Sequence, residues 1–140
     1  MATDTLIPSI CLTSDSMRAA GLQVKESILG GLDGGRRVPV EDGVAFMPDR
    51  QSFAGSVATT DRLVRTMVQE AEVPLAEAVR MLTYTPARVM GIDGRKGSLE
   101  PGRDADLVAF DGDIRIGLVM VEGEIRFDSG LRPLGDPGYA

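Results

Sequence analysis

Along the chain, the spacing of hydrophobic and polar residues changes character several times. Leu6-Ile7-Pro8-Ser9-Ile10-Cys11-Leu12 is a short, nearly continuous apolar run that ends in Thr13-Ser14-Asp15. A run of that length without strict alternation predicts a strand buried on both faces, as in a parallel sheet. Pro8 cannot donate to a ladder and is expected near the strand's start; Cys11 is expected to be a buried, inert thiol. Further on, Arg36-Arg37-Val38-Pro39-Val40 and Val44-Ala45-Phe46-Met47 flank Glu41-Asp42-Gly43. Asp-Gly between apolar runs predicts a β-hairpin over about 36–47.

From Thr59 the period becomes helical. Leu63, Val64, Met67, Val68 and Ala71 form one stripe, with Arg62, Arg65 and Gln69 on the other side. Thr59 or Thr60 can cap this helix, and Asp61 suits its first turn. A second helix is expected from Pro74-Leu75, with Leu75, Ala78, Val79 and Leu82 as its apolar side. Thr85-Pro86 predicts a break before the proline, then a short helix stopped by Gly91. Beyond Gly91 the pattern is strand-like: Pro101-Gly102 marks a turn, and strands are expected at 105–110, 114–121 and 125–127. Residues 1–5 read as a disordered start and 129–140 as a loose tail.

Composition narrows the chemistry. The 140 residues carry 15 Lys plus Arg against 21 Asp plus Glu, a net charge of −6, and suit one modest domain. This acidic balance argues against a nucleic-acid or anionic-membrane surface. One cysteine cannot form an internal disulfide, so a reducing compartment and a cytoplasmic location are expected. No apolar run is long enough to span a bilayer, and the amino terminus lacks a secretion-signal pattern. The absence of histidine excludes a Ser–His–Asp triad, a Cys–His pair and imidazole-ligated zinc within this chain.

Two segments could carry chemistry. Asp15 is a carboxylate at the carboxyl end of the expected strand, where α/β folds gather functional groups; it could ligate a cation or accept a proton from water, or only fix a turn. Ser56 follows Gly55 at a place where backbone can approach a ligand closely, or it could simply turn the chain into the Thr59 helix. Asp106 and Gly102-Arg103-Asp104-Ala105 read as turn-into-strand residues, Arg36-Arg37 and Arg95-Lys96 as solvated faces, and the 7 methionines as core filler.

Several motifs, taken in order, carry a resemblance. Leu12-Thr13-Ser14-Asp15-Ser16-Met17-Arg18-Ala19-Ala20-Gly21-Leu22, Leu29-Gly30-Gly31, Glu41-Asp42-Gly43-Val44-Ala45 and Ala54-Gly55-Ser56-Val57-Ala58-Thr59-Thr60-Asp61 are similar to N-acetylglucosamine-6-phosphate deacetylases. So is Ala78 to Gly91, while Lys96-Gly97-Ser98-Leu99-Glu100-Pro101-Gly102-Arg103-Asp104-Ala105-Asp106-Leu107-Val108 marks the wider amidohydrolase superfamily.

The resemblance implies an α+β or α/β fragment. Its parts would be the last strand and helices of a (β/α)8 barrel over 6–95, with the hairpin as an excursion, and strands of a small β-sandwich over 96–128. Asp15 would be the base that activates a metal-bound water and protonates the leaving amine. Phe53-Ala54-Gly55 would be the segment whose backbone touches the sugar. The complete enzyme would use a divalent zinc or iron ion and an amino-sugar phosphate. In that family the Glu and two His metal ligands lie on earlier strands, so no metal is expected on this chain alone, and Asp15 could contribute only to a complete site. Alone the chain is expected to be inactive and to associate, as a homo-oligomer or with a missing N-terminal half. Two alternatives remain open: an inactive, oligomerising scaffold, or an amidohydrolase for another amino-sugar phosphate.

Overall fold

The computed structural model describes residues 9–130, which form two compact units. Leu12–Leu63 is one; the other comprises Val64 onward together with the residues up to Cys11.

The Leu12–Leu63 unit is built on a four-stranded antiparallel meander: β1 (Glu26–Leu29), β2 (Arg36–Glu41), β3 (Val44–Phe46) and β4 (Phe53–Ser56), in spatial order β1-β2-β3-β4. The expected hairpin is its centre. Val40 pairs with Ala45 and Glu41 with Val44, and Asp42 and Gly43 both take positive φ, 48° and 76°. Those two angles match the twist of the flanking strands. Pro39 is accommodated because the neighbouring Val40 N–H points to β1, donating to the Lys25 carbonyl at 2.9 Å. The missing N–H therefore faces the β3 side, where the ladder begins only at Val40. Ala19, Val40, Ala45 and Val57 make a small buried cluster, with Met17 and Ala54 packed on it. At the β3–β4 connection, Arg50 grips Glu41 with both guanidinium nitrogens at 3.0 and 2.6 Å, which holds the Glu41 carboxyl below the usual carboxylate range.

The second unit contains most of α1 (Thr60–Gln69), then α2 (Leu75–Arg80) and α3 (Tyr84–Val89), followed by an antiparallel sheet of β5 (Leu107–Phe110), β6 (Ile116–Val121) and β7 (Glu124–Asp128). Val64, Ala78 and Ile114 are buried together, with Met67, Val68, Val73, Val79, Leu82 and Phe110 packed against them. Ile114 takes φ 60°, a costly conformation for a β-branched residue. Arg65 pins it, donating to the Asp113 and Ile114 carbonyls at 3.2 and 2.9 Å. This arginine, on the side of the helix away from the apolar stripe, thus braces the β5–β6 turn. Helix α3 ends in a Schellman motif: Gly91 at φ 70°, its N–H on the Arg88 carbonyl and the Ile92 N–H on that of Ala87. The break before it falls at Thr83, which is non-helical at φ −120° and ψ −83°, and not at Thr85. Pro86 lies within the first turn of α3, where a missing N–H costs little.

Five further expectations change. Residues 9–14 are not a strand, because no described segment runs alongside them to complete a ladder; only Ser16 makes a bridge, parallel to Ser56. Leu6 to Pro8 lie outside the described residues, as do 1–5 and 131–140. Cys11 is exposed, not buried, since no sheet forms around it. Arg95-Lys96 is no merely solvated pair: Lys96 bridges Asp104 and Asp106 at 3.0 and 2.5 Å, and Arg95 holds Asp104 at 2.8 Å. Ser129 continues β7 in place, donating its N–H to the Gly117 carbonyl at 2.9 Å. The methionines divide: Met81 is fully buried, while Met90 is exposed.

Candidate active-site cleft

The Leu12–Leu63 unit holds a cleft of about 280 Å³, lined by Asp15, Arg18, Leu29, Gly30, Ala54 and Gly55 among others. Two segments far apart in sequence meet there. The loop carrying Asp15 is stitched to the end of β4: the Ser56 N–H donates to the Asp15 carbonyl at 3.0 Å, and the Met17 N–H to the Ser56 carbonyl at 2.8 Å. Gly55 is extended at φ 143°, a left-handed setting that side chains rarely adopt. A Cβ there would lie 3.5 Å from the Asp15 carbonyl oxygen and 3.6 Å from the Met17 Cβ. Glycine thus allows this strand conformation beside the Asp15 loop.

Asp15 is exposed and also left-handed, at φ 48°, a conformation that aspartate tolerates better than most residues. Among the described residues, no side chain or N–H holds its carboxylate. The group is therefore open to solvent and to a ligand, as a proton acceptor must be. Arg18 supplies the one cationic side chain of the lining, and its Nη2 donates to the Gly30 carbonyl at 3.0 Å, tying the loop to the end of β1.

Of the residues singled out from sequence, Asp15, Ala54 and Gly55 come together at the cleft. Phe53 does not line it. The residue is 72% exposed, and its ring leans on Phe46 with centroids 5.5 Å apart. Ser56 serves the turn: its Oγ accepts the Ala58 N–H at 2.9 Å. Sequence reasoning passed over Arg18, Ile28, Leu29 and Gly30; the Leu29-Gly30-Gly31 motif was the available signal. Asp106 is structural, as expected: its two oxygens take the Lys96 ammonium at 2.5 Å and the Glu122 N–H at 2.8 Å.

Among the described residues, no three His, Cys, Asp or Glu side chains gather in a way that would hold a metal ion. One open carboxylate is too few for a catalytic zinc, which takes about three protein ligands. The residues present do not fit a complete cation site. No helix of the described residues is long and apolar enough to cross a membrane.

The chain is similar to known deacetylases. N-acetylgalactosamine-6-phosphate deacetylase from Escherichia coli O157:H7 is 35% identical over 116 residues, 83% of this chain. N-acetylglucosamine-6-phosphate deacetylase from Vibrio furnissii is 35% identical over 122 residues, 87% of this chain. The crystal structure of N-acetylglucosamine-6-phosphate deacetylase from Pasteurella multocida superposes with a TM-score of 0.77 at 32% identity, over 85% of this chain. The chain spans 29% of the length of each of those two relatives, 66% of a shorter one from Escherichia coli K12, and 30% of the Pasteurella chain. Residues 17–130 match the Amidohydrolase family, and the chain belongs to that family.

Proposed function

We propose that the chain is the part of an N-acetylated amino-sugar 6-phosphate deacetylase that supplies the catalytic base. Hydrolysis of the substrate acetamide needs a proton acceptor for the attacking water and a proton for the departing nitrogen. In this reading the Asp15 carboxylate takes the water proton as oxygen bonds to the acetyl carbon. It then returns that proton to nitrogen as the C–N bond breaks, leaving acetate and the amino-sugar phosphate. The cleft walls, with Ala54 and Gly55 presenting backbone rather than bulk, hold the sugar beside the carboxylate. The residues present do not fit a complete cation site; the family's divalent zinc or iron would be bound by other polypeptide, which would also supply the group that polarises the acetamide.

The observation that supports this most is the meeting, in one cleft, of the Ala54–Gly55 backbone with an Asp15 carboxylate that has no partner among the described residues. Matches at 35% identity to both a galactosamine and a glucosamine enzyme leave the substrate as a class, N-acetylhexosamine 6-phosphate. The test is turnover of both epimers, with zinc or iron(II), by the purified chain alone and mixed with the histidine-bearing remainder of a relative. The expected result is acetate release from the mixture and none from either part. Turnover by the chain alone overturns the division of labour, and an inert mixture overturns the reading of the base.

A further inference from the structure

The Asp15 carboxylate has no partner among the described residues, so its place in the cleft depends on its backbone. That backbone is left-handed, at φ 48°, and such a turn persists only where its surroundings determine it. Two backbone bonds flank it, Ser56 N–H to the Asp15 carbonyl and Met17 N–H to the Ser56 carbonyl. Two bonds involve hydroxyls: the Ser16 N–H donates to Ser14 Oγ at 3.2 Å, and Ser16 Oγ donates to the Ala58 carbonyl at 2.5 Å across 42 residues of sequence. Ser56 Oγ in turn fixes the Ala58 N–H, so the acceptor of the Ser16 bond is itself held.

We infer that Ser16 is a positioning residue for Asp15: its hydroxyl, bound to the Ala58 carbonyl, locks the left-handed turn from which the carboxylate enters the cleft. The catalytic consequence rests on the reading of Asp15 as the base. The structural consequence does not. Without the hydroxyl, residue 16 loses its one bond to the segment after β4, and the carboxylate samples other directions. A small displacement of a reacting group lowers rate far more than affinity.

The test uses Ser16→Ala, Ser16→Thr and Asp15→Asn in the full 140-residue chain. By NMR, Ser16→Ala should shift the amide-to-Hα coupling of Asp15 away from its left-handed value. It should also speed amide exchange at Ser56 and Met17 about tenfold, with the Val40 amide unaffected and Ser16→Thr restoring both. In the turnover mixture, Ser16→Ala should lower kcat by about tenfold to a hundredfold with KM nearly unchanged, and Ser16→Thr should recover it. An unchanged Asp15 coupling in Ser16→Ala overturns the inference, as does equal loss of protection at Val40, or a KM effect as large as the kcat effect. If Asp15→Asn leaves turnover intact, the base assignment fails separately, and the NMR result still decides the role of Ser16.

Discussion

The two units are held together by different means. In the Leu12–Leu63 unit the buried cluster consists of two alanines and two valines, Ala19, Ala45, Val40 and Val57. Its shape comes instead from turns and hydrogen bonds: the Asp42–Gly43 hairpin, the Arg50–Glu41 fork, and the stitching of the Asp15 loop to β4. The second unit packs larger side chains, Val64, Ile114, Met67, Leu82 and Phe110, and adds a charged knot of Lys96, Asp104 and Asp106. Its unusual backbone at Ile114 is buried and braced by Arg65. The unusual backbones at Asp15 and Gly55 border a cleft. At Ile114 a costly backbone is offset by packing; at Asp15 and Gly55 residue types that tolerate positive φ carry the chain past open space.

The sharpest way to break this contrast is to remove the charge at Asp15. Asp15→Asn should lower turnover in the complete assembly by about a thousandfold and leave the thermal unfolding of the chain almost unchanged, because the carboxylate holds nothing among the described residues. A large loss of stability would mean that the residue is structural after all.

The second unit answers to volume. Met81 is 1% exposed, and Met81→Ala should cost about 2–5 kcal/mol in urea unfolding through lost burial and the cavity left behind. A change below about 1 kcal/mol would show that this core relaxes freely. In the Leu12–Leu63 unit the comparable weakness is conformational. Gly55→Ala should cost about 1–3 kcal/mol, because φ 143° is foreign to a side-chain-bearing residue, and exchange at the Ser56 amide should report the loss first.

This contrast also explains what the sequence could disclose. The Asp42–Gly43 hairpin, the Gly91 helix stop, the Pro101–Gly102 turn and β5 to β7 follow from local turn chemistry and short-range period, and each was readable. Strands β1 and β4 were not: Glu26–Leu29 and Phe53–Ser56 carry no alternation, and they exist only by pairing with the hairpin. The apolar run before Asp15 misled for the same reason, since apolar residues make a strand only where a neighbour offers a ladder. Asp15 and Gly55 were legible as local candidates, and Ala54 only through family resemblance. Nothing in local pattern relates residues 15 and 55, and the Ser16 hydroxyl bond to Ala58 joins equally distant segments.

The smallest expected effect is the pH response of the charged knot in the second unit. The Lys96 ammonium, followed by the Glu122 N–H, holds the Asp106 carboxyl below its ordinary 3.8. Lys96 and then Arg95 do the same for Asp104. A carboxyl with a lowered folded pKa contributes stability that is present above the ordinary value, and loses it as pH falls through the folded value. Lys96, raised above 10.5 chiefly by Asp106, contributes below its ordinary value and ceases to do so as pH rises through the raised one. The groups are partly open to solvent, which screens them, so the expected signature is a slope and not a collapse. Urea midpoints between about pH 2 and about pH 6 should rise with pH more steeply for the natural chain than for Asp106→Asn. That substitution leaves a carbonyl oxygen for the Glu122 N–H and removes one of the two charges facing Lys96, Asp104 keeping the other. Identical slopes would mean that the knot orders the turn before β7 through geometry alone, and the second unit would then owe its stability to apolar packing.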